Sequence, residues 1–265
     1  VERPARASKA RLDQALVERG LAPTRERARA LILAREVEVD GEVALRAAAP
    51  VGAQAELRVR SSQRFVSRGG EKLEGALAGT GIDPAGRRCL DVGASTGGFT
   101  DCLLQHDAAR VIAIDVGYGQ LHPRLRADPR VTVWERTNVR HVIELPFAPS
   151  LVVCDVSFIS LTLALPPALR LAAAGWEALV LVKPQFEAGP AALRKGVVRD
   201  PLVHRRVLAE FCASTTAWGA AVRGIVDSGL PGPKGNREFV VHLVDRQPVA
   251  DARQLTSWID AAVAG

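Results

Sequence analysis

The sequence predicts an α/β fold in which a mainly parallel, seven-stranded sheet follows a smaller α+β domain. Short, continuous Val and Leu runs recur between residues 89 and 244, a pattern typical of strands buried on both faces of a parallel sheet. A glycine-rich turn, Gly93 to Gly98, directly follows the first run. Before residue 61 the pattern changes: apolar residues recur at helical spacing in two short segments, and apolar and polar residues then alternate in short strand-like segments. We therefore expect a small domain over 1–60, a linker over 61–67 and a large domain over 68–265.

The large domain is expected to begin with a helix at Arg68-Gly69-Gly70, whose apolar face includes Leu73 and Leu77. Alternating strands and helices follow. The last two strands, joined through DSGLPGPKGNRE, are predicted to form an antiparallel edge. The seven strands are predicted at 89–92, 111–115, 131–134, 151–154, 179–182, 221–226 and 239–244.

In the small domain, an apolar period from Leu12 predicts a helix that ends at Gly20, and Thr24 is positioned to cap a second helix. Val37 to Val39 then alternate ahead of Asp40-Gly41, which predicts a hairpin turn. The polar segment 61–67 has one aromatic residue, Phe65, as an anchor.

Positive charge is concentrated in this small domain. Residues 1–66 hold 13 Lys and Arg against 9 Asp and Glu, whereas residues 67–265 hold 22 against 20. Arg25 and Arg29 are four residues apart and share a helix face, which Arg11 can join from the first helix. Phosphates are the natural partners of such a face, although a merely solvated basic face is the alternative.

The glycine turn predicts a nucleotide-type cofactor. Ser95 occupies the position of the second glycine of a dinucleotide fingerprint, which disfavours NAD. Asp91 on the first strand and a looser glycine cluster suit S-adenosylmethionine, and Asp115 at the end of the next strand is placed for ribose hydroxyls. The alternative is a helix cap with glycines needed only for packing. The predicted cofactor-binding residues are Asp91, Gly93, Ser95, Thr96, Gly97, Gly98, Phe99, Asp115 and Asn138.

Four further residues are candidates for chemistry because ligands bind beyond the carboxyl ends of the strands in such sheets. Asp155 and Lys183 each end a strand, Lys72 enters from the preceding helix, and Glu238 starts the last strand. Each also has a structural interpretation, as a helix cap, a solvated lysine or a surface acid.

Several classes of protein and site are disfavoured. No uncharged apolar run of about 18 residues is present, which argues against a membrane span. The four cysteines form no C-x-x-C pair, which is typical of reduced thiols in a cytoplasmic protein. No two of the five histidines have the H-x-x-x-H or a similar spacing of metal ligands, so we expect no metal site.

The segment RLDQALVERGLAPTRERARALILAREVEVDGEV, within residues 8–60, resembles the small RNA-binding domain of the S-four type, named after a small-subunit ribosomal protein. That domain usually carries Gly-Lys before its first strand, where this chain has Arg35-Glu36. The resemblance implies RNA binding, and the acidic Glu36 implies weaker RNA binding than in the typical domain.

From Arg68 onward the chain resembles the TlyA family of ribosomal-RNA 2′-O-methyltransferases, members of which are also called haemolysins. The motifs appear in the family's order: SRGGEKL, DVGASTGGFTD, VGYGQL, ERTN, DVSFISL, KPQFEAG, KGVVRD and GPKGNREF. The resemblance implies an RNA-binding domain fused to a Rossmann-like methyltransferase of the FtsJ kind, acting on cytidine ribose in 16S and 23S rRNA of ribosomal subunits. It also implies a catalytic set at Lys72, Asp155, Lys183 and Glu238.

These residues suit transfer of a methyl group to a 2′-hydroxyl, a weak acid that must lose its proton as it attacks. A lysine can be the base where burial and a second cation favour its neutral form. We assign that role to Lys183. Lys72 then stabilises the developing charge or favours the neutral form of its neighbour, and both carboxylates hold the geometry of the site. Two alternatives remain: a small-molecule methyltransferase with a reduced RNA module, favoured by Glu36, and a non-enzymatic, membrane-active haemolysin-like protein.

Overall fold

The computed structural model describes residues 10–33, 35–59, 64–189, 192–193, 195–246 and 250–265. The chain divides into two compact units, Val1–Arg64 and Phe65–Gly265. Residues 61–63 of the predicted linker lie outside the described residues.

The described residues of the first unit form two helices and five short strands. Thr24 Oγ1 accepts a hydrogen bond from the backbone N–H of Arg27 at 3.2 Å, which confirms the predicted cap. The elements are β1 (Ala10–Arg11), α1 (Leu12–Glu18), α2 (Arg25–Leu33), β2 (Val37–Val39), β3 (Glu42–Val43), β4 (Pro50–Val51) and β5 (Leu57–Val59).

Asp40 and Gly41 connect β2 to β3 with φ angles of 52° and 85°. Val39 pairs with Glu42, so the loop has two residues, and positive φ at both is the signature of a type I′ turn. The predicted hairpin is confirmed. Leu12, Leu16 and Ile32 are fully buried and form the centre of this unit's core.

The second unit alternates strands and helices. Its strands are β6 (Arg88–Val92), β7 (Arg110–Ile114), β8 (Val131–Trp134), β9 (Leu151–Cys154), β10 (Glu177–Val182), β11 (Ala220–Asp227) and β12 (Phe239–Asp245). Its helices are α3 (Arg68–Thr80), α4 (Gly98–Gln105), α5 (Pro123–Arg126), α6 (Leu161–Arg170), α7 (Pro184–Glu187), α8 (Pro201–Thr215) and α9 (Ala252–Ala264).

These seven strands form one sheet in the order β11-β12-β10-β9-β6-β7-β8. The five strands from β6 to β10 are parallel, whereas β12 runs antiparallel between β10 and β11. The predicted mainly parallel, seven-stranded sheet is therefore confirmed. The expected antiparallel pair is also present, with β11 as the edge and β12 inside the sheet.

Both faces of the sheet are buried, as the continuous apolar runs predict. Leu90 and Val152 face one core cluster, and their neighbours Cys89 and Leu151 face the other. Cys89 is a free buried thiol, and burial raises its pKa to about 12.

β6 and β9 are neighbours although two strands, β7 and β8, lie between them along the chain. The direction of strand addition reverses at this pair, and such a switch point leaves a crevice beyond the carboxyl ends of the two strands. Val92 and Cys154 end the two strands, so the residues that follow them face this crevice.

Across the described ranges, no helix is long and apolar enough to cross a bilayer, and no group of three or more His, Cys, Asp or Glu could hold a metal.

Candidate active site

The turn after β6 brings backbone close to backbone at the switch point. Gly93 has φ of 84°, and a Cβ placed there would lie 2.6 Å from the carbonyl oxygen of Asp155. Gly97 has φ of 96° and caps α4, where a Cβ would lie 2.3 Å from Leu125 Cδ1. Ser95 adopts a left-handed φ of 49° without being glycine. Gly93 is therefore required by conformation and by space, because a backbone oxygen blocks its Cβ position, whereas Gly97 is required chiefly by its conformation.

Asp115 fixes the shape of this turn from the end of β7. Its Oδ2 accepts the backbone N–H of Ser95 at 2.8 Å, and its Oδ1 accepts the N–H of Gly117 at 2.7 Å. Each carboxylate oxygen has a further lone pair, so Asp115 can still accept hydrogen bonds from a ligand.

A cavity of about 540 Å³ opens beside the turn, within the size range of cofactor sites. The predicted residues that line it are Gly93, Ser95, Asp115 and Asn138. Asp155, a candidate for chemistry, also lines it, whereas the sequence analysis did not select Gln120, Val156, Phe158 or Ile159 of the same wall.

Two of the described residues predicted to bind the cofactor, Asp91 and Gly97, lie outside the walls of this cavity and of the one next to it. Asp91 is fully buried beneath the turn, where its Oδ2 accepts a hydrogen bond from Thr100 Oγ1 at 2.7 Å. Its Oδ1 has no hydrogen-bond partner among the described residues. Burial raises the pKa of Asp91 to about 7.

A second cavity of about 280 Å³ brings the four candidate catalytic residues together. It shares Gly93, Ser95, Asp155 and Ser157 with the first cavity, so the two adjoin. Its wall includes Lys72, Asp155, Lys183 and Glu238, together with Thr96, Gly98 and Phe99 of the glycine turn.

The four residues form two ion pairs. Lys72 Nζ lies 2.5 Å from Glu238 Oε2, and both side chains are almost fully buried. Lys183 Nζ lies 2.6 Å from Asp155 Oδ1 and donates a hydrogen bond to Ser157 Oγ at 2.8 Å. Each lysine thus has a carboxylate partner, and Asp155 is the more exposed acid of the two, with 24% of its side chain accessible.

Ser157, Phe158 and Gln185 belong to the site although the sequence analysis did not select them. Ser157 and Phe158 follow Asp155 by two and three residues, and Gln185 follows Lys183 by two. Nearness in sequence to a candidate residue was therefore the signal that could have found them. Phe158 has φ of 65° and is 90% exposed, with its ring 5.0 Å from that of Phe186.

In the first unit, the three predicted RNA-binding arginines surround one carboxylate. Arg11 and Arg29 each place Nε 3.0 Å from an oxygen of the fully buried Asp13, and Arg25 Nη2 lies at 3.2 Å. The guanidinium hydrogen bonds, that of Arg11 foremost, hold the pKa of Asp13 well below its usual range. The arginine side chains remain about half exposed.

Arg35 occupies the turn between α2 and β2 with φ of 60°. The S-four pattern has glycine at this position, and a left-handed conformation there explains why glycine suits it.

Comparison with known proteins agrees with this architecture. The FtsJ-like methyltransferase family matches residues 65–244, and the S4 domain matches residues 10–57. The chain is 46% identical over 242 residues to the 16S/23S rRNA (cytidine-2′-O)-methyltransferase TlyA of Mycobacterium tuberculosis, a match that covers 89% of this chain and 90% of the relative.

The chain belongs to the TlyA family of FtsJ-like methyltransferases. The resemblance noted in the sequence is confirmed. Another relative, Hemolysin A of Brachyspira hyodysenteriae, is 37% identical over 238 residues, covering 88% of this chain and 99% of that one. A solved structure from Streptococcus thermophilus, described as a candidate hemolysin, is similar with a TM-score of 0.75 at 38% identity, covering 97% of this chain and 96% of that chain.

Proposed function

We propose that this protein transfers a methyl group from S-adenosylmethionine to the 2′-hydroxyl of a cytidine in 16S or 23S rRNA, within ribosomal subunits. The observation that carries the proposal is the convergence of two lysine–carboxylate pairs on a cavity that adjoins the glycine turn. The relatives' activity supports the choice of rRNA cytidine as the acceptor.

The larger cavity fits S-adenosylmethionine. Asp115 retains acceptor capacity for the ribose hydroxyls, and Asn138 supplies an amide further along the wall. The glycines leave backbone atoms open to the amino-acid end of the ligand. S-adenosylmethionine would supply a methyl group made electrophilic by its sulfonium centre.

The smaller cavity fits an acceptor hydroxyl. Lys183 in its neutral form would take the hydroxyl proton as the ribose oxygen attacks the methyl carbon. A hydrogen bond to Ser157 Oγ and the ion pair with Asp155 would hold the amine in place for that transfer. Lys72, paired with Glu238, would stabilise negative charge that develops on the attacking oxygen.

The first unit would bind the phosphate backbone of the rRNA. Three half-exposed guanidiniums with a single buried carboxylate leave a net positive cluster at Arg11, Arg25 and Arg29. Guanidinium groups suit phosphate because they present several N–H donors in a plane.

Incubation with labelled S-adenosylmethionine and ribosomal subunits, intact ribosomes or naked rRNA tests the proposal. We expect label in ribose of rRNA, whereas label in no RNA would overturn it. Methylation of a small molecule alone would identify the reduced-module alternative, and lysis of membrane vesicles without methyl transfer would identify the haemolysin-like one.

Lys183→Ala and Lys183→Arg test the assignment of the base. Both variants should abolish methyl transfer while the dissociation constant for S-adenosylmethionine, measured by calorimetry, stays within about threefold of wild type. Arginine keeps the positive charge and cannot act as a base, because it stays protonated at any working pH. Near-wild-type turnover of either variant would refute Lys183 as the base.

A further inference from the structure

Gln185 contacts the carboxylate of one ion pair and follows the lysine of the other by two residues. It is the second residue of α7, which begins directly after Lys183 at the end of β10. Its side chain is buried, and its Nε2 donates a hydrogen bond to Glu238 Oε1 at 3.1 Å. Gln185 therefore joins the segment that carries one lysine to the carboxylate that pairs with the other.

Three separate segments fix the Glu238 carboxylate. Lys72 Nζ from α3 contacts Oε2, and the amide of Gln185 contacts Oε1. From a third direction Gly232 approaches so closely that a Cβ would lie 2.0 Å from Oε1. Gly232 is not among the residues with positive φ, so space and not backbone conformation requires glycine there.

We propose that Gln185 is a positioning residue that holds the Glu238 carboxylate, and through it the Lys72 ammonium, at a fixed place relative to Lys183. This inference rests on the proposed methyl transfer. The amide is suited to the role because it donates a hydrogen bond to a carboxylate without adding charge. A buried carboxylate oxygen left without its donor would turn toward Lys72 and carry the ammonium with it.

The charged groups that line the cavity together with Glu238 come from three elements: Arg68 and Lys72 from α3, Lys183 from the end of β10 and Asp155 from the end of β9. Arg237, next to Glu238 in the chain, instead pairs with Asp227. An acid introduced at position 185 would therefore meet the Glu238 carboxylate directly.

Gln185→Glu provides the discriminating test because the change keeps the shape of the side chain. At pH 8.5 two carboxylates in contact repel, and we expect kcat for rRNA methylation to fall by about 10-fold to 100-fold. The KM for S-adenosylmethionine should stay within about threefold. At lower pH the two carboxyl groups share a proton, which restores a donor to Glu238. The ratio of variant to wild-type kcat should then rise by at least about fivefold between pH 8.5 and pH 6.

Leucine at position 185 has no hydrogen-bond donor at any pH. The ratio of Gln185→Leu kcat to wild-type kcat should therefore be low and independent of pH. Gln254→Glu on the exposed surface of α9 makes the same chemical change elsewhere and should match wild type throughout. Circular dichroism over the same pH range verifies that each variant is folded. If a variant fails to fold, Gly232→Ala, which pushes the same carboxylate from another side, should lower kcat in its place.

The proposal is overturned by a Gln185→Glu ratio that does not change with pH, or by wild-type kcat in Gln185→Leu. Failure of the wild-type protein to label any RNA is a separate result, which refutes the proposed function itself.

Discussion

Gly93→Ala tests whether the close approach of β6 and β9 builds the site. The added methyl would lie 2.6 Å from the Asp155 carbonyl oxygen and 3.2 Å from a methyl of Val156. Backbone atoms cannot move aside as the end of a flexible side chain can. The Asp155 segment must shift, and with it the carboxylate that pairs with Lys183.

The magnitude follows from two contributions. A non-glycine residue in a left-handed conformation costs about 1–2 kcal/mol, and overpacking costs a further 1–3 kcal/mol or so. We therefore expect the free energy of unfolding to fall by about 2–5 kcal/mol. Gly81→Ala is the matched control, because Gly81 has φ of 71° but no atom within 4 Å of its Cβ position. It should lose only about 1–2 kcal/mol, from backbone strain alone.

Urea unfolding of both variants measures the stability, and methylation of ribosomal subunits measures the function. A displacement of about 1 Å in the reacting geometry lowers turnover by roughly a hundredfold, so Gly93→Ala should lose most of its kcat and Gly81→Ala should keep it. Equal destabilisation of the two variants, with turnover retained in Gly93→Ala, would show that the approach at Gly93 is not what shapes the site.

Two further predictions concern buried carboxyl groups. Burial raises the pKa of Asp91 to about 7, so the free energy of unfolding should fall as pH rises from about 4 to 7, by at most about 4 kcal/mol. Asp91→Asn should remove this pH dependence when urea unfolding midpoints are compared at pH 4.5 and 7.5. An unchanged slope would contradict the assignment. The pKa of Asp13 is held low by its arginine neighbours, so the first unit should lose stability as pH falls below about 4. Asp13→Asn should remove this loss of stability at low pH and lower the stability at pH 7 by about 1–3 kcal/mol, a modest range because the guanidiniums are half exposed. Hydrogen exchange in α1 and α2 measures both effects. An equal loss of stability at low pH in the wild type and the variant would refute the prediction.

The fold was predictable because its signals are local. Continuous apolar runs such as Leu151–Cys154 can only be accommodated with both faces covered, which favours a parallel sheet. Asp40-Gly41 predicted its hairpin because few residues adopt positive φ at two successive positions. Thr24 predicted its helix start because a hydroxyl there replaces a missing backbone acceptor.

The candidate site was predictable in part. Their places at strand ends and in the preceding helix selected Asp155, Lys183, Lys72 and Glu238, and the family motifs implied that the four form a catalytic set. Ser157 and Gln185 were missed because nothing in their local sequence distinguishes a side chain that contacts a lysine or a glutamate from one that faces solvent. Asp91 was predicted to contact the cofactor, yet its side chain points beneath the turn toward Thr100, a direction that strand alternation alone does not determine.

The sequence by itself determined the strands, the glycine turn and the residue types available for chemistry, because periodicity and backbone conformational limits act over a few neighbouring residues. The tertiary structure decided which lysine pairs with which carboxylate, and that three arginines gather around Asp13. Lys72 and Glu238 are 166 positions apart in the chain. Their 2.5 Å contact exists because β12 inserts between β10 and β11, and no local pattern in the sequence encodes that strand order.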